Sequence, residues 1–232
     1  MTAADLRLGA YADVLSGETW DALIADPPFS AKTHAGHNDG TSSANQLAAF
    51  AERVRSGRAK GRRGDATYAA KLAAQGNAGR RTIEYAHWTP VDVQAFVAWA
   101  HPRTRAWMVC MCDDVLAPVY AAAMEAAGRY VFAPLVLYEP GSRVRMTGDG
   151  PACWTTWIVV SRPRSRAFQG WGALPGGYTN TDSGFERGRS KHPGGKPLSV
   201  MQAIVRDYSR PGDVVCDPTA CLLYTSPSPR DG

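Results

Sequence analysis

The sequence predicts an α/β fold, in which helices cover both faces of a mostly parallel sheet. Short apolar runs, such as residues 105–112 and 153–161, alternate with helical segments such as residues 89–100 and 198–209. Strands that alternate with helices of about 10 to 15 residues are typical of a parallel sheet. With 232 residues the chain is long enough to bury a sizeable core, and 44% of its residues are hydrophobic, as in ordinary globular proteins.

The first predicted elements lead to a conspicuous motif. Residues 5–15 predict a short strand and a turn. The apolar run at residues 20–25 predicts a strand that stops at Pro27 and Pro28, because proline lacks the N–H group that a strand needs. Asp26 therefore stands at the carboxyl end of that strand, where ligands bind in open α/β sheets. The remaining predicted elements are a helix from Thr89 to about Ala100, a strand at 105–112, a helix at 115–127 that Asp113 or Asp114 caps and Gly128 ends, strands at 130–138 and 153–161, a helix at 198–209 and a strand at 214–216.

Two segments lack the periodicity of helices and strands. Residues 30–88 are first rich in Gly, Ser, Asn and His and then strongly basic, which predicts a long basic loop with one candidate helix at residues 45–55. Residues 162–195 are polar, basic and rich in Gly and aromatic residues. Long loops in compact domains are usually functional or disordered, so both segments are candidates for contacting a large ligand.

Composition and charge narrow the class of protein. The net charge of +5 is a mild basic excess, which suits a nucleic-acid partner. The N-terminus has no apolar signal core, and no run approaches the ~18 apolar residues of a membrane helix. We therefore expect a cytoplasmic protein with no membrane partner.

The cysteines point to packing rather than to metal binding. The chain has five of them, and their spacing matches neither a disulfide framework nor a paired zinc motif. Cys110 and Cys112 would face the same side of a strand, which favours two buried core thiols over a weak metal site. We expect no metal ion.

The segment Asp26-Pro27-Pro28-Phe29 fits one particular chemistry. An exocyclic amine on a nucleic-acid base is a poor nucleophile, because its lone pair is conjugated into the ring. A carboxylate (Asp26) and a backbone carbonyl held by a proline (Pro27) can accept hydrogen bonds from the amine and free that lone pair. An aromatic ring (Phe29) can stack on a base that has left the duplex. The other interpretation is a plain strand-ending turn, since Asp and Pro favour turns.

Residues 6–29 (LRLGAYADVLSGETWDALIADPPF) resemble the N-terminal segment of the beta-class DNA amino-methyltransferases, which modify adenine N6 or cytosine N4. A second match comes late in the chain. Residues 191–197 (KHPGGKP), the helix that follows and residues 211–220 (PGDVVCDPTA) are similar to the family's cofactor-binding half. The order is informative, because the catalytic motif comes first, a target-recognition region follows and the cofactor motif is last. The resemblance covers most of residues 6–220.

The resemblance implies the Rossmann-like fold of S-adenosylmethionine-dependent methyltransferases, with a permuted motif order and with edge strands of the sheet missing. It implies S-adenosylmethionine as the cofactor, double-stranded DNA as the substrate and, as in many relatives, a homodimer. The implied domains are a catalytic half at 1–162 that contains the basic loop at 30–88, a target-recognition segment at 163–190, the start of the cofactor-binding half at 191–220 and a non-native tail at 221–232.

The resemblance also implies roles for single residues. Asp26, Pro27, Pro28 and Phe29 would hold the target base. Lys196 and Pro197 would begin the helix that flanks the methionine end of the cofactor, and a loop at the end of the last strand would bind the cofactor as well. The implied cofactor-binding residues are His192, Lys196, Pro197, Asp217, Pro218, Thr219 and Ala220.

The chain departs from the family after Ala220. The family pattern continues with Gly, one residue, Gly and a helix, and then with two more strands. Here residues 221–232 read CLLYTSPSPRDG, and Pro227 and Pro229 oppose a helix. We therefore expect this tail to be foreign to a longer natural enzyme. A chain without those strands lacks half of its cofactor pocket.

Two segments are the candidate DNA contacts. Residues 163–190 contain Trp171, Tyr178, Phe185 and several arginines, which can read base edges in the major groove. The basic run from Arg53 to Arg81 would approach phosphates and give salt-sensitive affinity. Its candidate residues are Arg53, Arg55, Arg58, Lys60, Arg62, Arg63, Arg80 and Arg81.

The sequence favours adenine N6 over its nearest rival, cytosine N4, because Asp26 stands where Ser is more usual in cytosine N4 enzymes. The lack of a Pro-Cys pair counts against a cytosine C5 enzyme, whose nucleophilic cysteine commonly follows a proline, and a P-loop is excluded because Pro197 follows Lys196. An enzyme that methylates RNA or a protein glutamine is a further alternative, although protein-directed relatives usually have Asn before the two prolines. The alternative from another class is a catalytically dead DNA-binding fragment.

Overall fold

The computed structural model describes residues 4–38, 56, 85–140, 151, 153–165, 168, 170–180 and 195–220. The helices of this part are α1 (Tyr11–Val14), α2 (Ala31–Asn38), α3 (Pro90–Ala100), α4 (Ala117–Ala126) and α5 (Leu198–Tyr208), with a 3-10 turn at His101–Arg103. The strands are β1 (Ala22–Ala25), β2 (Met108–Cys112), β3 (Tyr130–Val131), β4 (Leu135–Tyr138), β5 (Thr155–Arg162), β6 (Gly177–Thr179) and β7 (Val215–Cys216).

Within the described residues the strands form one sheet in the order β6-β4-β5-β2-β1-β7, and β3 also pairs with β5. The pairs β1–β2, β1–β7 and β4–β6 are parallel, but β5 runs antiparallel to β2, β3 and β4. Among the described strands β5 alone runs against the others, because β3 and β4 are each antiparallel to β5 and so have the direction of β2, and β6 has the direction of β4. The prediction of a mostly parallel sheet is therefore confirmed. The parallel part, β2-β1-β7, is the part that carries the Asp26 motif.

Helices pack on both faces of the sheet, as predicted. Alternate side chains of a strand point to opposite faces. Leu23 and Cys110 accordingly lie in one core with α3 and α4, while Ile24 and Val109 lie in a second core with α5. All residues of β1 and β2 are buried, so the centre of the sheet is covered on both sides.

The predicted limits of α3 and α4 hold closely. Thr89 closes a capping box at the start of α3, in which its side chain accepts from the Asp92 amide and the Asp92 carboxylate accepts from the Thr89 amide. Asp113 accepts from the Leu116 amide at the start of α4. Gly128 follows the end of α4 with φ of 79°, a left-handed conformation that glycine adopts without a steric cost.

The predicted strand at residues 5–15 is wrong. That segment contains only α1 as a regular element. The Arg7 guanidinium bonds to the Asp5 carboxylate, the Glu18 carboxylate and the Val14 carbonyl, so the chain folds back on itself. Tyr11 packs on the rings of Phe96 and Trp99 of α3 at centroid distances of 5.6 and 4.6 Å. The segment thus packs over the core that α3 and α4 form and does not add a strand to the sheet.

The predicted strand at residues 130–138 is two strands, β3 and β4, which both pair with β5. The break falls at Ala133 and Pro134. Proline cannot donate to a strand ladder, so its position separates the two pieces. In the part of the chain that the structure describes, no helix is long and apolar enough to cross a membrane.

Candidate active site

Asp26 follows β1 directly, at the carboxyl edge of the parallel part of the sheet. Because β1 is fully buried between β2 and β7, its end is a rigid point of attachment. Pro27 is buried, and Pro28 and Phe29 are half-buried. The four residues continue from the strand without regular secondary structure, and α2 begins soon afterwards at Ala31. The structure therefore places the predicted motif at a sheet edge where ligands bind in open α/β folds.

An ion pair joins an early and a late segment of the chain at this edge. The Lys196 ammonium lies 2.7 Å from Asp26 Oδ2, and the two side chains are only 10% and 26% exposed. Lys196 is held just before α5, with Pro197 at the N-cap position of that helix. A pair so far removed from water is screened less than a surface pair. The structure thus brings together two residues that the sequence assigned to different halves of the site.

The second oxygen of the same carboxylate is left unpaired. Asp26 Oδ1 is buried and accepts no hydrogen bond from any residue that the structure describes. A buried acceptor without a donor costs about 1–3 kcal/mol, and such groups in folded proteins call for a physical explanation. A ligand that carries an N–H group and enters at this edge would remove that cost.

Phe29 belongs to the same cluster. The Lys196 ammonium lies 5.0 Å from the centroid of the Phe29 ring, within the range of a cation–π contact. The Phe29 carbonyl accepts from the Trp88 amide at 3.0 Å, which ties the motif to the segment before α3. The ring is half-buried and is therefore accessible on part of its surface.

Asp113, at the end of β2, fixes the turn that carries the motif. It is only 7% exposed, and its Oδ2 accepts from the Ser30 amide, the Ser30 hydroxyl and the Thr33 hydroxyl, while Oδ1 accepts from Leu116. Burial raises the pKa of this carboxyl, but the hydrogen bonds outweigh it and the net pKa lies below the usual range. The sequence predicted Asp113 only as a helix cap, and nothing in the pattern indicated its bonds to Ser30 and Thr33.

Asp217 follows β7, which neighbours β1, and so lies at the same edge. Its Oδ1 accepts from the Thr219 amide at 3.0 Å and the Thr219 hydroxyl at 3.1 Å. Desolvation by the surrounding atoms is the largest influence and, together with the negative charge of Asp26, raises the pKa of Asp217 to about 6. The hydrogen bonds from Thr219 act in the opposite direction but are outweighed. The residue keeps solvent exposure, so water screens part of this effect. Pro218, Thr219 and Ala220 continue the same turn.

The cysteines of the central strands are core residues. Cys110 and Cys112 are buried free thiols on the same face of β2. Burial is the largest influence on both and raises the pKa of each thiol far above its ordinary value, so neither is a reactive thiolate. Among the described residues, no group of three or more His, Cys, Asp and Glu side chains is arranged to hold a metal ion.

Part of the segment predicted to recognise the target packs into the protein. Trp171 and Tyr178 belong to the core that α5 covers. The Tyr178 hydroxyl donates to the Asp207 carboxylate at 2.9 Å, and the Trp171 indole donates to the Asp207 carbonyl at 3.0 Å. These two aromatic residues therefore have structural contacts. Phe185 lies outside the described residues.

The structure thus brings four of the predicted site residues to one sheet edge, namely Asp26, Phe29, Lys196 and Asp217, with their neighbouring prolines. Thr219 and Ala220, which are also predicted site residues, continue the turn after Asp217. The remaining predicted site residues fall in parts of the chain outside the described residues, as does the tail at 221–232. They are His192, Arg53, Arg55, Arg58, Lys60, Arg62, Arg63, Arg80 and Arg81.

Comparison with known proteins supports the fold. No protein-family model and no curated protein matches the sequence. Among solved structures, M1.HpyAVI in complex with SAM aligns with a TM-score of 0.50 and 16% identity, over 90% of this chain and 78% of that chain. A second structure of M1.HpyAVI aligns with a TM-score of 0.50 and 13% identity, over 90% of this chain and 77% of that chain. The chain therefore has the Rossmann-like α/β fold expected for an S-adenosylmethionine-dependent methyltransferase.

Proposed function

We propose that this chain is a site-specific DNA methyltransferase, which transfers a methyl group from S-adenosylmethionine to the N6 amine of an adenine that has been flipped out of the duplex. The observation that carries the proposal is the state of Asp26. This carboxylate lies at the ligand-binding edge of the sheet, beside an aromatic ring, and keeps one buried oxygen without a hydrogen-bond donor.

Asp26 and Pro27 would act on the amine. The Asp26 carboxylate and the Pro27 carbonyl would accept hydrogen bonds from the two N–H groups of the amine. This reduces the conjugation of the nitrogen lone pair with the ring, so that the lone pair becomes available to attack the methyl group. The half-buried ring of Phe29 would stack on the flipped base and fix its plane. The residues thus orient the nucleophile, which is the larger part of what a methyltransferase must do.

The charges at this edge fit the cofactor. M1.HpyAVI, whose fold the chain shares, was solved with SAM. S-adenosylmethionine supplies a methyl group activated by a positively charged sulfonium, and it also carries an ammonium group. Desolvation and the negative charge of Asp26 raise the pKa of the Asp217 carboxyl. A cation bound beside Asp217 would be favourable, because it would stabilise the ionised carboxylate. Thr219 and Ala220 would line the same pocket, and Lys196 and Pro197 its other side.

Adenine is preferred to cytosine because the first residue of the motif is Asp26. DNA is preferred to a protein substrate because of the basic run from Arg53 to Arg81, which would contact phosphates. The described aromatic residues of the recognition segment pack inside, so base reading would rest on the remainder of residues 163–190. A homodimer is part of this proposal.

The test is transfer of a tritiated methyl group from S-adenosylmethionine to unmethylated plasmid DNA, with Asp26→Ala compared with the wild type. We expect a loss of about 10²-fold or more, the range for a positioned acid–base group, while DNA binding measured by fluorescence anisotropy is retained. Asp114→Ala is the matched control, because Asp114 lies near the same edge but is exposed and pairs with Lys32.

Thermal melts must precede the assay, since Asp26→Ala leaves the Lys196 ammonium without its carboxylate. Nucleoside mass spectrometry of the product then separates N6-methyladenine from N4-methylcytosine. Detection of N4-methylcytosine would mean that the enzyme is a cytosine N4 methyltransferase and not an adenine N6 methyltransferase. A folded wild-type chain that binds DNA and transfers no label would identify a DNA-binding fragment instead.

A further inference from the structure

We propose that Lys196 is a positioning residue, which holds the Asp26 carboxylate through Oδ2 so that Oδ1 alone accepts the hydrogen bond from the target amine. This inference rests on the proposed function and deepens it. The observation behind it is the unequal treatment of the two oxygens, since Oδ2 lies 2.7 Å from the Lys196 ammonium whereas Oδ1 is buried and has no donor among the described residues.

A carboxylate by itself does not distinguish its two oxygens. It can turn about the bond to Cβ, and each oxygen can accept hydrogen bonds in two directions. A charge-assisted bond to one oxygen stops that rotation and fixes the lone pairs of the other. Such fixing matters because a misplacement of about 1 Å at a reacting group can lower the rate about 10²-fold. The side chains that enclose Oδ1 must move aside when the base enters, while Oδ2 stays bonded.

The position of Lys196 suits this role. Its backbone immediately precedes Pro197 and α5, and that helix is anchored by the buried residues Val200 and Ile204. The side chain is 10% exposed, so the ammonium has little freedom to swing into solvent. The same ammonium lies 5.0 Å from the centroid of the Phe29 ring. Lys196 therefore positions both the Asp26 carboxylate and the ring that would stack on the base.

A different role would give the opposite result. If Lys196 merely occupied Asp26 until the substrate displaced it, the ammonium would compete with the target amine. Removing the ammonium would then raise kcat or lower the KM for DNA. Under the positioning role, removal lowers kcat and leaves the KM for DNA nearly unchanged, because phosphate contacts elsewhere provide most of the affinity for DNA.

The experiment compares Lys196→Met with the wild type in transfer of tritiated methyl groups to unmethylated plasmid DNA. We expect kcat to fall about 10²-fold and KM for DNA to change less than about threefold. Lys32→Met is the matched control, since Lys32 also pairs with an aspartate at 2.6 Å but is 67% exposed, and its kcat should stay within about twofold of the wild type. Circular dichroism and thermal melts establish that each variant is folded.

Chemical rescue separates positioning from general packing. Methylammonium chloride added to Lys196→Ala should restore a large part of kcat, because it donates hydrogen bonds to Oδ2, whereas tetramethylammonium, which has no N–H group, should not. Equal rescue by both salts, no rescue by either, or an unchanged or raised kcat in Lys196→Met would overturn the inference while leaving the methyltransferase proposal intact. A wild-type chain that methylates no DNA would overturn both.

Discussion

The two ends of the β1–β2 pair each bury a charged side chain, and the surroundings treat the two charges differently. Beyond the amino end of β2, Arg129 is 1% exposed and donates to the Ser161 hydroxyl and to the carbonyls of Thr104, Ala106 and Ser161. At the carboxyl end, Asp26 has one oxygen paired with Lys196 and the other buried without a donor among the described residues. The Arg129 guanidinium therefore has several hydrogen-bond acceptors, whereas only one of the two Asp26 oxygens has a partner among the described residues.

The difference separates a structural charge from a functional one. Burial lowers the pKa of Arg129 to about 10, so the guanidinium stays charged at neutral pH and joins the end of β5 to the segment before β2. Asp26 could have been satisfied in the same way by a nearby amide or hydroxyl, as Asp113 is. A buried acceptor that stays open at a ligand-binding edge is therefore better explained by a substrate than by stability.

The largest effect that this comparison predicts is the loss of Arg129. In Arg129→Met the side chain keeps a similar length, but the Ser161 hydroxyl, the buried carbonyls of Thr104 and Ser161 and the half-buried carbonyl of Ala106 lose this donor. At about 1–3 kcal/mol for each unsatisfied buried group, the free energy of unfolding should fall by about 3 kcal/mol or more in urea titrations. Arg105→Met is the control, because Arg105 is 61% exposed where it pairs with Asp21 and should cost less than about 1 kcal/mol. Equal costs for the two variants would contradict the distinction.

A smaller effect is expected at Asp113, whose carboxylate anchors the turn after the motif. Asp113→Asn replaces an ionised acceptor of bonds from Ser30, Thr33 and Leu116, so the free energy of unfolding should fall by about 1.5–3 kcal/mol. The pKa of Asp113 is lowered in the folded state, so its contribution is present above the unfolded value near 3.9 and is lost as the pH falls through the folded pKa.

Urea titrations of Asp113→Asn and the wild type between about pH 2 and pH 7 check this sign. The difference in stability should be largest at neutral pH and should shrink on acidification. A gap that widens as the pH falls would mean that Asp113 is not held by these bonds as an ionised group.

The smallest effect is expected at Asp217, whose contribution to stability should change with pH in the direction opposite to that of Asp113. Its pKa is raised to about 6, so the folded state binds its proton more tightly than the unfolded chain does. Its contribution to stability is therefore present at low pH and is lost as the pH rises from about 4 through about 6. Because the residue is exposed, Asp217→Asn should stabilise the protein above pH 6 by less than about 1 kcal/mol. Thermal melts at pH 5 and pH 8 measure it, and a destabilised variant at pH 8 would contradict the sign.

Much of the fold could be predicted from patterns that act locally. The apolar run before Asp26, the cap at Thr89 and the glycine at 128 each determine an element within a few residues, and the structure has those elements. The direction of β5 could not be predicted in this way. It depends on which strands meet in space, and an apolar run has the same appearance in a parallel and an antiparallel pair.

The candidate site was predictable in its residues but not in its connections. Motifs indicate both Asp26 and Lys196, yet their contact joins residues 170 positions apart, which no local pattern encodes. The bonds between Asp113 and Ser30 are of the same kind. The sequence does not predict helix α2, although Ser30 after two prolines is a reasonable helix start, because the composition of residues 30–88 predicts one loop.

The pairing of β1 with β7 has a consequence for how the chain folds. The Val214 amide donates to the Asp21 carboxylate across a separation of 193 residues, and Ala22 pairs with Val215. Such distant contacts close large loops and slow the search for the native topology. During synthesis β1 cannot complete its pairing with β7 until residue 216 has left the ribosome, so the edge that carries Asp26 and Asp217 is assembled only after that late segment has been made. Until then the apolar side chains and the unpaired backbone N–H and C=O groups of β1 need protection from other chains.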